Sequence, residues 1–537
     1  MQNIMIQCSF RFQVMARLVF KPFIILLLLG VYPVYGKSII TKRTLQYTIT
    51  FPQASSHYYH VDMKVAGWDL DSIHFKLPQW MPGYYQIMHY AKALEHIKAM
   101  DHQGKRIPIY QMNENTWGIK GHKNASYTIS YDIKTFRQFV ANSYVDSAHA
   151  YIIPGSTFLY VDGSLQNKAT IKINLPTGWN HIATGLVKVN TKPNEYSATD
   201  FDILYDCPIL LGNLEELPSF KVKGIEHRFI GYKLGSFDRT IFMDHLSKVV
   251  ESAVPVIGDI PYKQYTFIAI GPGRGGIEHL NNTTFGFDGN SINNKEGADR
   301  MLSFLAHEYF HHYNVKRIRP LELGPFDYDQ GSKTNLLWVS EGLSVYYQYM
   351  ILMHAGLIDS STLFNFFDKN INALENNPGR AYQSLAQASY NTWSDGPFGT
   401  QGTEPGKSIS YYDKGPVVGL LLDLKIRSAT QNTKSLNDVM RLLYWKYYKQ
   451  LQRGFTDAEF QQACESTAGI PLTELFEYVS TTKALDYTAY LNLAGLKLET
   501  KEGVMNEDNP KKQTFNLIPV GTPDGTQQAI LRSWLNH

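Results

Sequence analysis

The hydrophobic pattern of the chain changes its period near residue 236, and this change constrains the fold more than any other feature. Before it, short runs alternate apolar with polar residues between Gly, Pro and Asn, which is typical of half-buried strands in a sandwich or saddle. The clearest runs are residues 45–51, 127–133, 170–175 and 220–225. After it, apolar residues recur three and four positions apart, which predicts helices. The sequence therefore predicts an α+β multidomain chain, with a β-rich N-terminal domain followed by a mostly helical one.

Several helices are predicted in the second half of the chain. The first is marked by apolar residues at helical spacing, namely Ile241, Phe242, Leu246, Val249, Val250 and Val254. Others are predicted around 300–316, around 338–354 and from 415 to about 482. Thr456 and Glu459 form a capping-box pair that begins one of them. The predicted domains are 37–235 and 236–485, with a short β-like tail at 486–537 that contains a strand near 515–520.

Residues 1–36 have the pattern of a secretory signal peptide. Arg11, Arg17 and Lys21 precede a short apolar run, and small residues stand three and one positions before a cut after Gly36. The run is too short to span a bilayer comfortably. We expect export to the periplasm or the cell exterior, without stable membrane insertion after cleavage; the alternative is an uncleaved anchor.

The overall composition excludes some classes of protein. With 44% hydrophobic and 18% charged residues, the chain is an ordinary globular one. The net charge is +3, and the three basic residues of 1–36 account for all of it, so the mature chain is near neutral and no nucleic-acid partner is expected. Cys207 and Cys464 lie far apart, and thus predict neither a disulfide framework nor a thiolate metal site.

The segment 307–311 reads His-Glu-Tyr-Phe-His. His307 and His311 are four residues apart, so on a helix their rings project from one face, about 40° apart. Two such imidazoles can bind one zinc ion, and Glu308 then lies beside the open coordination position, where it can act as a general base. Apolar neighbours predict a partly buried helix, in which this cluster needs a compensating metal. The alternative is a structural helix with incidental histidines.

A third zinc ligand has to come from elsewhere in the chain, because Asn314 and Arg317 occupy the positions where a longer motif would place Gly and His. Glu341 is the better candidate, since it lies on the next helical pattern with 29 residues between it and His311. A carboxylate among apolar and aromatic residues is costly to bury unless a cation balances it. Alternatively, Glu341 is a first-turn residue favoured by the helix dipole.

These motifs resemble the glycyl aminopeptidase family of gluzincin zinc metallopeptidases. The resemblance is carried by residues 307–320 and 337–342, and extends to 80–83, 275–279 and 412–415. It implies a thermolysin-like catalytic domain behind the β-rich domain. It also implies that His307, His311 and Glu341 bind one Zn²⁺ per chain, with Glu308 as the general base.

The resemblance implies a further catalytic residue near position 412. Tyr412 stands where related enzymes have a tyrosine that donates a hydrogen bond to the oxyanion, and the adjacent Tyr411 is the alternative. Plain aromatic packing before a helix is the other interpretation of both. Family members usually end in a PDZ-like domain, and the segment 486–537 is too short to predict a complete one.

Gly271, Gly273 and Gly276 match the Gly-x-Gly-x-x-Gly pattern of a dinucleotide loop. Such a loop opens a helix, whereas the residues after Gly276 are β-branched and turn-forming, so we do not expect a nucleotide site. In related zinc aminopeptidases, a Gly-x-x-Glu stretch forms an edge strand beside the metal, and its Glu receives the substrate's α-amine. Gly275, Gly276 and Glu278 fit this pattern; the alternative for Glu278 is an ordinary surface carboxylate.

The function expected from these features is a secreted zinc aminopeptidase. Its partners would be peptides with a free N-terminus, and the resemblance suggests Gly or Ala as the residue removed. One alternative is an endopeptidase with the same zinc site. Another is a catalytically silent protein whose β-domain binds peptides or glycans, although the complete set of ligands and base argues against it.

Overall fold

The computed structural model describes residues 43–122, 125–189, 191–502 and 512–535. The predicted signal peptide, 1–36, lies outside the described residues. Across the described ranges, no helix combines the length and the apolar character needed to cross a membrane.

The first part of the described chain is built from sixteen short strands. These are β1 Thr44–Thr50, β2 Tyr58–Ala66, β3 Ser72–Lys76, β4 Leu94–Asp101, β5 Arg106–Ile107, β6 Tyr110–Asn113, β7 Thr116–Lys120, β8 Ser126–Lys134, β9 Tyr144–Val145, β10 His149–Ile152, β11 Tyr160–Val161, β12 Ala169–Ile173, β13 His181–Thr184, β14 Val187–Lys188, β15 Glu195–Ala198 and β16 Ile209–Gly212. They form three sheets, in the orders β14-β15-β12-β1-β2-β8-β4-β5, β13-β16-β10-β9 and β11-β3-β7-β6.

The predicted alternation places side chains on opposite faces of these strands. In β2, Tyr59, Val61, Met63 and Val65 are buried, while the residues between them are more exposed. They share one hydrophobic core with Phe75 and other residues of the β11-β3-β7-β6 sheet. The predicted strands at 45–51, 127–133 and 170–175 are confirmed as β1, β8 and β12.

A fourth sheet, of five strands, lies in the part of the chain between the first three sheets and the helix that carries His307. Its strands are β17 Glu215–Val222, β18 Ile225–Tyr232, β19 Gln264–Ile270, β20 Gly276–Glu278 and β21 Asn282–Gly286, in the order β17-β18-β19-β21-β20. Strand β20 lies at the edge and runs antiparallel to β21, with Glu278 opposite Thr283. The chain therefore places Gly276 and Glu278 on a sheet edge.

The interpretation of 220–225 as a single strand is wrong. Strand β17 ends at Val222 and β18 begins at Ile225, so the run contains a two-residue hairpin turn. Lys223 and Gly224 both have positive φ angles, 48° and 83°, as the favoured short hairpin turns require. The alternating pattern continued across the turn and concealed it.

Thirteen α-helices are described. They are α1 Phe201–Tyr205, α2 Arg239–Ile257, α3 Lys295–Phe310, α4 Leu343–His354, α5 Ser360–Glu375, α6 Leu385–Tyr390, α7 Thr392–Asp395, α8 Tyr411–Ala429, α9 Leu436–Leu442, α10 Asp457–Ala468, α11 Thr473–Ser480, α12 Tyr487–Leu491 and α13 Gly525–Leu535. The π-helical segment Trp338–Gly342 leads directly into α4. A second π-helical segment, Leu443–Leu451, directly follows α9. The predicted order, β-rich first and mostly helical afterwards, is confirmed.

The predicted helices are present, with two local differences. In α2, Phe242 and Leu246 are buried, but Ile241 is 55% exposed and does not belong to the apolar face. Helix α3 ends at Phe310, and the chain continues in turns to about residue 317, so the predicted helix end at 316 is too late. The capping box is confirmed: Thr456 and Glu459 bond each other's backbone N–H at the start of α10.

The predicted tail packs on the helical part. It contains the hairpin β22 Leu496–Glu502 and β23 Gln513–Pro519, followed by α13. The backbone of Phe515 bonds the Asn372 side chain of α5, and the indole N–H of buried Trp534 lies 3.1 Å from the hydroxyl of Tyr346 in α4. The predicted bounds of the two domains stay predictions.

Candidate active site

His307, His311 and Glu341 meet at one point between α3 and the π-helical segment before α4. Nε2 of His307 and Nε2 of His311 are 2.9 Å apart, and Oε2 of Glu341 lies 3.2 Å from the second and 3.6 Å from the first. Ligands bound at about 2.0–2.1 Å in a tetrahedron are about 3.3 Å apart, so this spacing suits zinc. Among the described residues, this is the one group of three or more His, Cys, Asp or Glu side chains with metal-binding geometry.

Hydrogen bonds outside this group orient its donor atoms. Nδ1 of His311 lies 2.7 Å from the carbonyl oxygen of Asn314, so Nδ1–H donates there and Nε2 is the ring nitrogen that faces the site. The Asn314 side chain in turn donates to the carbonyl oxygens of Val339 and Ser340, at 2.8 and 3.2 Å. Asn314 thus joins the two segments that carry the candidate zinc ligands. The sequence pattern assigned Asn314 no such role, because it only excluded a longer motif there.

The π-helical segment Trp338–Gly342 brings Glu341 into line with the histidines. Single π turns are frequent at functional sites, because the extra residue redirects side chains. Gly342 lies against Gly415 of α8, where a Cβ on Gly342 would be 2.7 Å from the Gly415 Cα. Two glycines at this crossing let the segments that carry Glu341 and Tyr412 approach closely.

Of the two adjacent tyrosines, Tyr412 faces the site. Its hydroxyl donates to Oε2 of Glu341 at 2.9 Å, and its ring centroid is 6.2 Å from that of His307. The hydroxyl of Tyr411 lies 3.1 Å from Oγ1 of Thr392 instead. Ser410 caps α8 by accepting from the Tyr412 N–H, which fixes the start of the helix and the direction of both rings.

Glu308 lies against strand β20 and beside the cluster of His307, His311 and Glu341, which is called the ligand group below. A Cβ on Gly276 would be 2.7 Å from Cδ of Glu308, so only glycine allows the strand to come this close. The hydroxyl of Thr283, on β21, lies 3.5 Å from Oε2 of Glu308. Burial raises the pKa of Glu308 to about 8; the positive His311 opposes this shift, and Glu278 and Glu341 add to it.

Glu278 is buried on the edge strand, with 4% of its surface exposed. Its carboxylate rests on Gly83 of the β-rich part, where a Cβ would be 2.8 Å from Oε2. Within the described residues, Oε1 of Glu278 has no hydrogen-bond partner. Gly275, with a φ of 83°, turns the chain into this strand beside Val140. A buried carboxylate with an unused acceptor is suited to receiving a cation.

Burial and the charges of neighbouring groups shift the pKa values of His307, His311 and Glu341. Burial lowers the pKa of His307, and the adjacent His311 lowers it further. Burial also disfavours the charged form of His311, but Glu341 outweighs it and raises the pKa of His311 to about 10. Burial opposes ionisation of Glu341, yet His311 and His307 hold its pKa well below the usual range. Three carboxylates around two imidazoles are an environment that favours a cation.

The segment Trp80 to Tyr85 has residues packed in the core and residues that line the site. Trp80 is fully buried, with its N–H donating to the Asp327 carbonyl at 2.6 Å and its ring edge-on to Trp393. Gly83 forms the wall behind Glu278. Tyr85 lines one cavity with Gly83 and Glu278. Burial raises the pKa of its hydroxyl, and the charges of Glu341 and Glu278 raise it further. The sequence did not predict Tyr85 as a site residue, and only the three-dimensional packing identifies it as one.

A cavity of about 60 Å³ adjoins Glu278. Gly83, Tyr85, Glu278 and Lys316 are among the residues that line it. The glycines at 271 and 273 lie outside it, in the loop that leads from β19 into strand β20. Because no helix follows those glycines, they do not form a dinucleotide loop.

Two family models match the chain. The model of the peptidase M61 N-terminal domain matches residues 46–213, and that of M61 glycyl aminopeptidase matches residues 300–418, which contain the ligand group and Tyr412. Together they cover more than half of the chain. The chain belongs to the M61 glycyl aminopeptidase family. It is therefore a zinc peptidase, as the sequence resemblance predicted.

Solved structures share the fold of this M61 chain. An aminopeptidase N family protein from Idiomarina loihiensis is 24% identical, with a TM-score of 0.81, over 87% of this chain and 81% of that one. An M1 zinc metallopeptidase from Deinococcus radiodurans is 11% identical, with a TM-score of 0.51, over 82% and 94%. A mutant of that protein bound to a Tyr-Ser-Ala substrate is 12% identical, with a TM-score of 0.52, over the same 82% and 94%. No curated protein matches the chain.

Proposed function

We propose that the protein is an exported zinc aminopeptidase that removes a small N-terminal residue, Gly or Ala, from peptides. The observation that carries the proposal is the buried Glu278 carboxylate, which has an acceptor oxygen without a hydrogen-bond partner in the described part of the chain and lies on an edge strand beside His307, His311 and Glu341. The family description supports the preference for a small residue. The pattern of residues 1–36 supports export to the periplasm or the cell exterior.

His307, His311 and Glu341 would hold the zinc ion. When bound, zinc would polarise the scissile carbonyl group and promote ionisation of water. Glu308 is buried beside these residues, with its carboxylate against Gly276 of β20 and 3.5 Å from the Thr283 hydroxyl, where it can both accept and release a proton. In our proposal, Glu308 takes a proton from the attacking water and passes it to the nitrogen of the leaving amine.

Tyr412 would stabilise the oxyanion that develops on the scissile carbonyl oxygen. Its hydroxyl already points at the ligand group, through its hydrogen bond to Glu341. A phenol that donates to the transition-state oxygen lowers the barrier without needing to change its own charge. This assigns Tyr412 a role in the chemical step rather than in binding zinc.

Glu278 and the backbone of β20 would set the position of the substrate. Among the described strands, none pairs with the outer edge of β20, so an extended peptide can add to it as a further strand. The free α-amine of that peptide would pair with the Glu278 carboxylate. This pairing fixes the first peptide bond over the ligand group, and cleavage there releases one residue.

Hydrolysis of matched peptides tests the proposal. Free and N-acetylated glycyl and alanyl peptides would be compared with wild type, Glu308→Gln and Glu278→Gln, with the zinc content of each measured. We expect wild type to cleave only the free peptides. Glu308→Gln should keep zinc and lose activity, while Glu278→Gln should raise KM for the free peptides.

Results that differ from these expectations would contradict specific parts of the proposal. Equal cleavage of acetylated peptides would identify an endopeptidase. Zinc-loaded wild type without activity on any peptide would identify a silent binding protein. Full activity of Glu308→Gln would refute the general-base role.

Cleavage of the signal peptide after Gly36 is tested separately. Mass spectrometry of the exported protein should find Lys37 at its N-terminus.

A further inference from the structure

Asp206 of the β-rich part contacts the segment that immediately follows Glu278. It lies just after α1, inside the region matched by the M61 N-terminal domain model. Its Oδ2 accepts from the backbone N–H of Leu280 at 2.7 Å, and its Oδ1 lies 3.2 Å from Nδ1 of His279. One carboxylate thus anchors both residues that follow Glu278.

The same carboxylate also binds Lys316, from the turns after the zinc-motif helix. Nζ of Lys316 lies 2.7 Å from Oδ1 of Asp206, and the Lys316 side chain is 8% exposed. Burial raises the pKa of Asp206, but Lys316 and His279 outweigh burial and bring it down to about 2. Asp206 is therefore an anion that holds a buried ammonium group.

Lys316 has a second carboxylate within electrostatic reach. Burial lowers its pKa, and the charges of Asp206 and then of Glu278 raise it again. Its ion pair is nevertheless with Asp206, while Oε1 of Glu278 has no hydrogen-bond partner within the described residues. Lys316 and Glu278 both line the cavity of about 60 Å³ described above.

We propose that Asp206 is a positioning residue for recognition of the substrate's α-amine: it retains Lys316, so that the Glu278 carboxylate stays available, and it anchors the chain directly after Glu278. This inference rests on the proposed function. It makes the β-rich part a contributor to amine recognition, through a residue that does not touch the substrate.

Loss of the Asp206 charge has a defined consequence. In Asp206→Asn, the buried ammonium group of Lys316 loses its counter-charge, and Glu278 is the carboxylate left to pair with it. The new amide also has only one acceptor oxygen, so its NH₂ group must face either the Leu280 N–H or the pair of His279 and Lys316. Glu278 would then be occupied internally, and the α-amine of a substrate would have to compete with Lys316.

Two inhibitors that differ by one amine test this. Glycine hydroxamate and acetohydroxamate carry the same metal-binding group, and only the first has an α-amine. Their affinities for zinc-loaded protein are measured by calorimetry, which does not require activity. We expect wild type to bind glycine hydroxamate at least ~10-fold more tightly, and Asp206→Asn to lose most of that preference while binding acetohydroxamate as before.

Matched variants separate positioning from general damage. Asp202→Asn changes a carboxylate of α1 that accepts from Tyr328 instead, so it should keep the preference. Asp206→Asn with Glu278→Gln should lose no more than Glu278→Gln alone, because both act on one interaction. Asp206→Asn with Lys316→Met should regain part of the preference, since the competing ammonium group is gone.

The outcomes distinguish the two proposals. If wild type does not prefer the amine-bearing inhibitor, the proposed function fails. If wild type prefers it and a folded Asp206→Asn does so equally, only the role of Asp206 is overturned. If Asp206→Asn does not fold, Lys316→Met alone decides: a retained preference supports the proposal, and a lost preference refutes it.

Discussion

Gly342 and Gly415 lie so close together that a Cβ built on either would be 2.7 Å from the Cα of the other. Gly342 follows Glu341 in the π-helical segment, and Gly415 lies one turn after Tyr412 in α8. Contact between two backbones without side chains brings these segments together. The hydrogen bond from Tyr412 to Glu341, 2.9 Å long, depends on that approach.

Substitution of Gly415 by Ala should therefore affect both stability and catalysis. The added methyl group meets backbone atoms that cannot rotate away, and overpacking of this kind costs about 1–3 kcal/mol. We expect a lower free energy of unfolding and a lower kcat, as Tyr412 moves away from the site. Urea unfolding and peptide hydrolysis measure both quantities. Gly525→Ala is the control, because a Cβ there meets nothing within 4 Å; equal behaviour of the two variants would contradict the role of the crossing.

Removal of the Tyr412 hydroxyl should slow the chemical step. Loss of one oxyanion donor typically lowers kcat by about 10²–10³-fold, and we expect Tyr412→Phe to do so with little change in KM. Zinc content should stay at one ion per chain, because the ligands are untouched. Tyr411→Phe is the matched control, since that hydroxyl contacts Thr392 rather than the ligand group. An equal loss of kcat in both variants would show that aromatic packing, not the Tyr412 hydroxyl, is what matters.

The clustering of His307, His311 and Glu341 was predictable because its sequence signals are local or chemical. The four-residue spacing of His307 and His311 places them on one helix face whatever the rest of the fold; His307 lies in the last turn of α3, and His311 is the C-cap residue that directly follows it. Glu341 was predictable because an apolar setting for a carboxylate requires a cation. The π turn that aims Glu341 at the site carries no comparable sequence signal.

Other parts of the site depend on contacts between distant segments. Tyr411 and Tyr412 have the same chemistry and adjacent positions, so the choice between them rested on where α8 begins. Tyr85 lies more than two hundred residues from Glu341 in sequence, and only folding brings it to the site. The sequence pattern also gave a wrong prediction at the hairpin after β17. The alternation of apolar and polar residues in 220–225 continues across the turn at Lys223, so the turn was not predicted.

Zinc removal should lower the stability of the folded chain. A ligand at about 100 times its Kd stabilises the protein that binds it by about 2.7 kcal/mol, so a strong chelator should lower the thermal midpoint and added zinc should restore it. Glu308→Gln should show the same shift, because Glu308 is not a ligand. Glu341→Gln should show a much smaller one. Scanning calorimetry with and without zinc checks this, and a shift of equal size in Glu341→Gln would remove Glu341 from the ligand set.

The buried His227 should make stability depend on pH. Its Nδ1 lies 3.0 Å from the Ile225 carbonyl, its Nε2 lies 2.8 Å from the Tyr262 hydroxyl, and its ring stacks on Phe220. Burial lowers its pKa to about 4, although Ile225 and Glu226 oppose the shift. The folded chain therefore keeps this histidine neutral over a pH range in which the unfolded chain protonates it.

The sign of the effect follows from proton uptake on unfolding. The unfolded chain binds the extra proton below the ordinary histidine pKa of about 6.5. The contribution of His227 to the free energy of unfolding is therefore complete above that pH. It is lost as the pH falls toward 4, by up to about 3 kcal/mol. His227→Gln should be less stable at neutral pH, with a smaller loss of stability between pH 6.5 and 4. Urea unfolding at several pH values measures this slope. His102→Gln, at an exposed histidine, should keep the wild-type slope, and an unchanged slope in His227→Gln would refute the assignment.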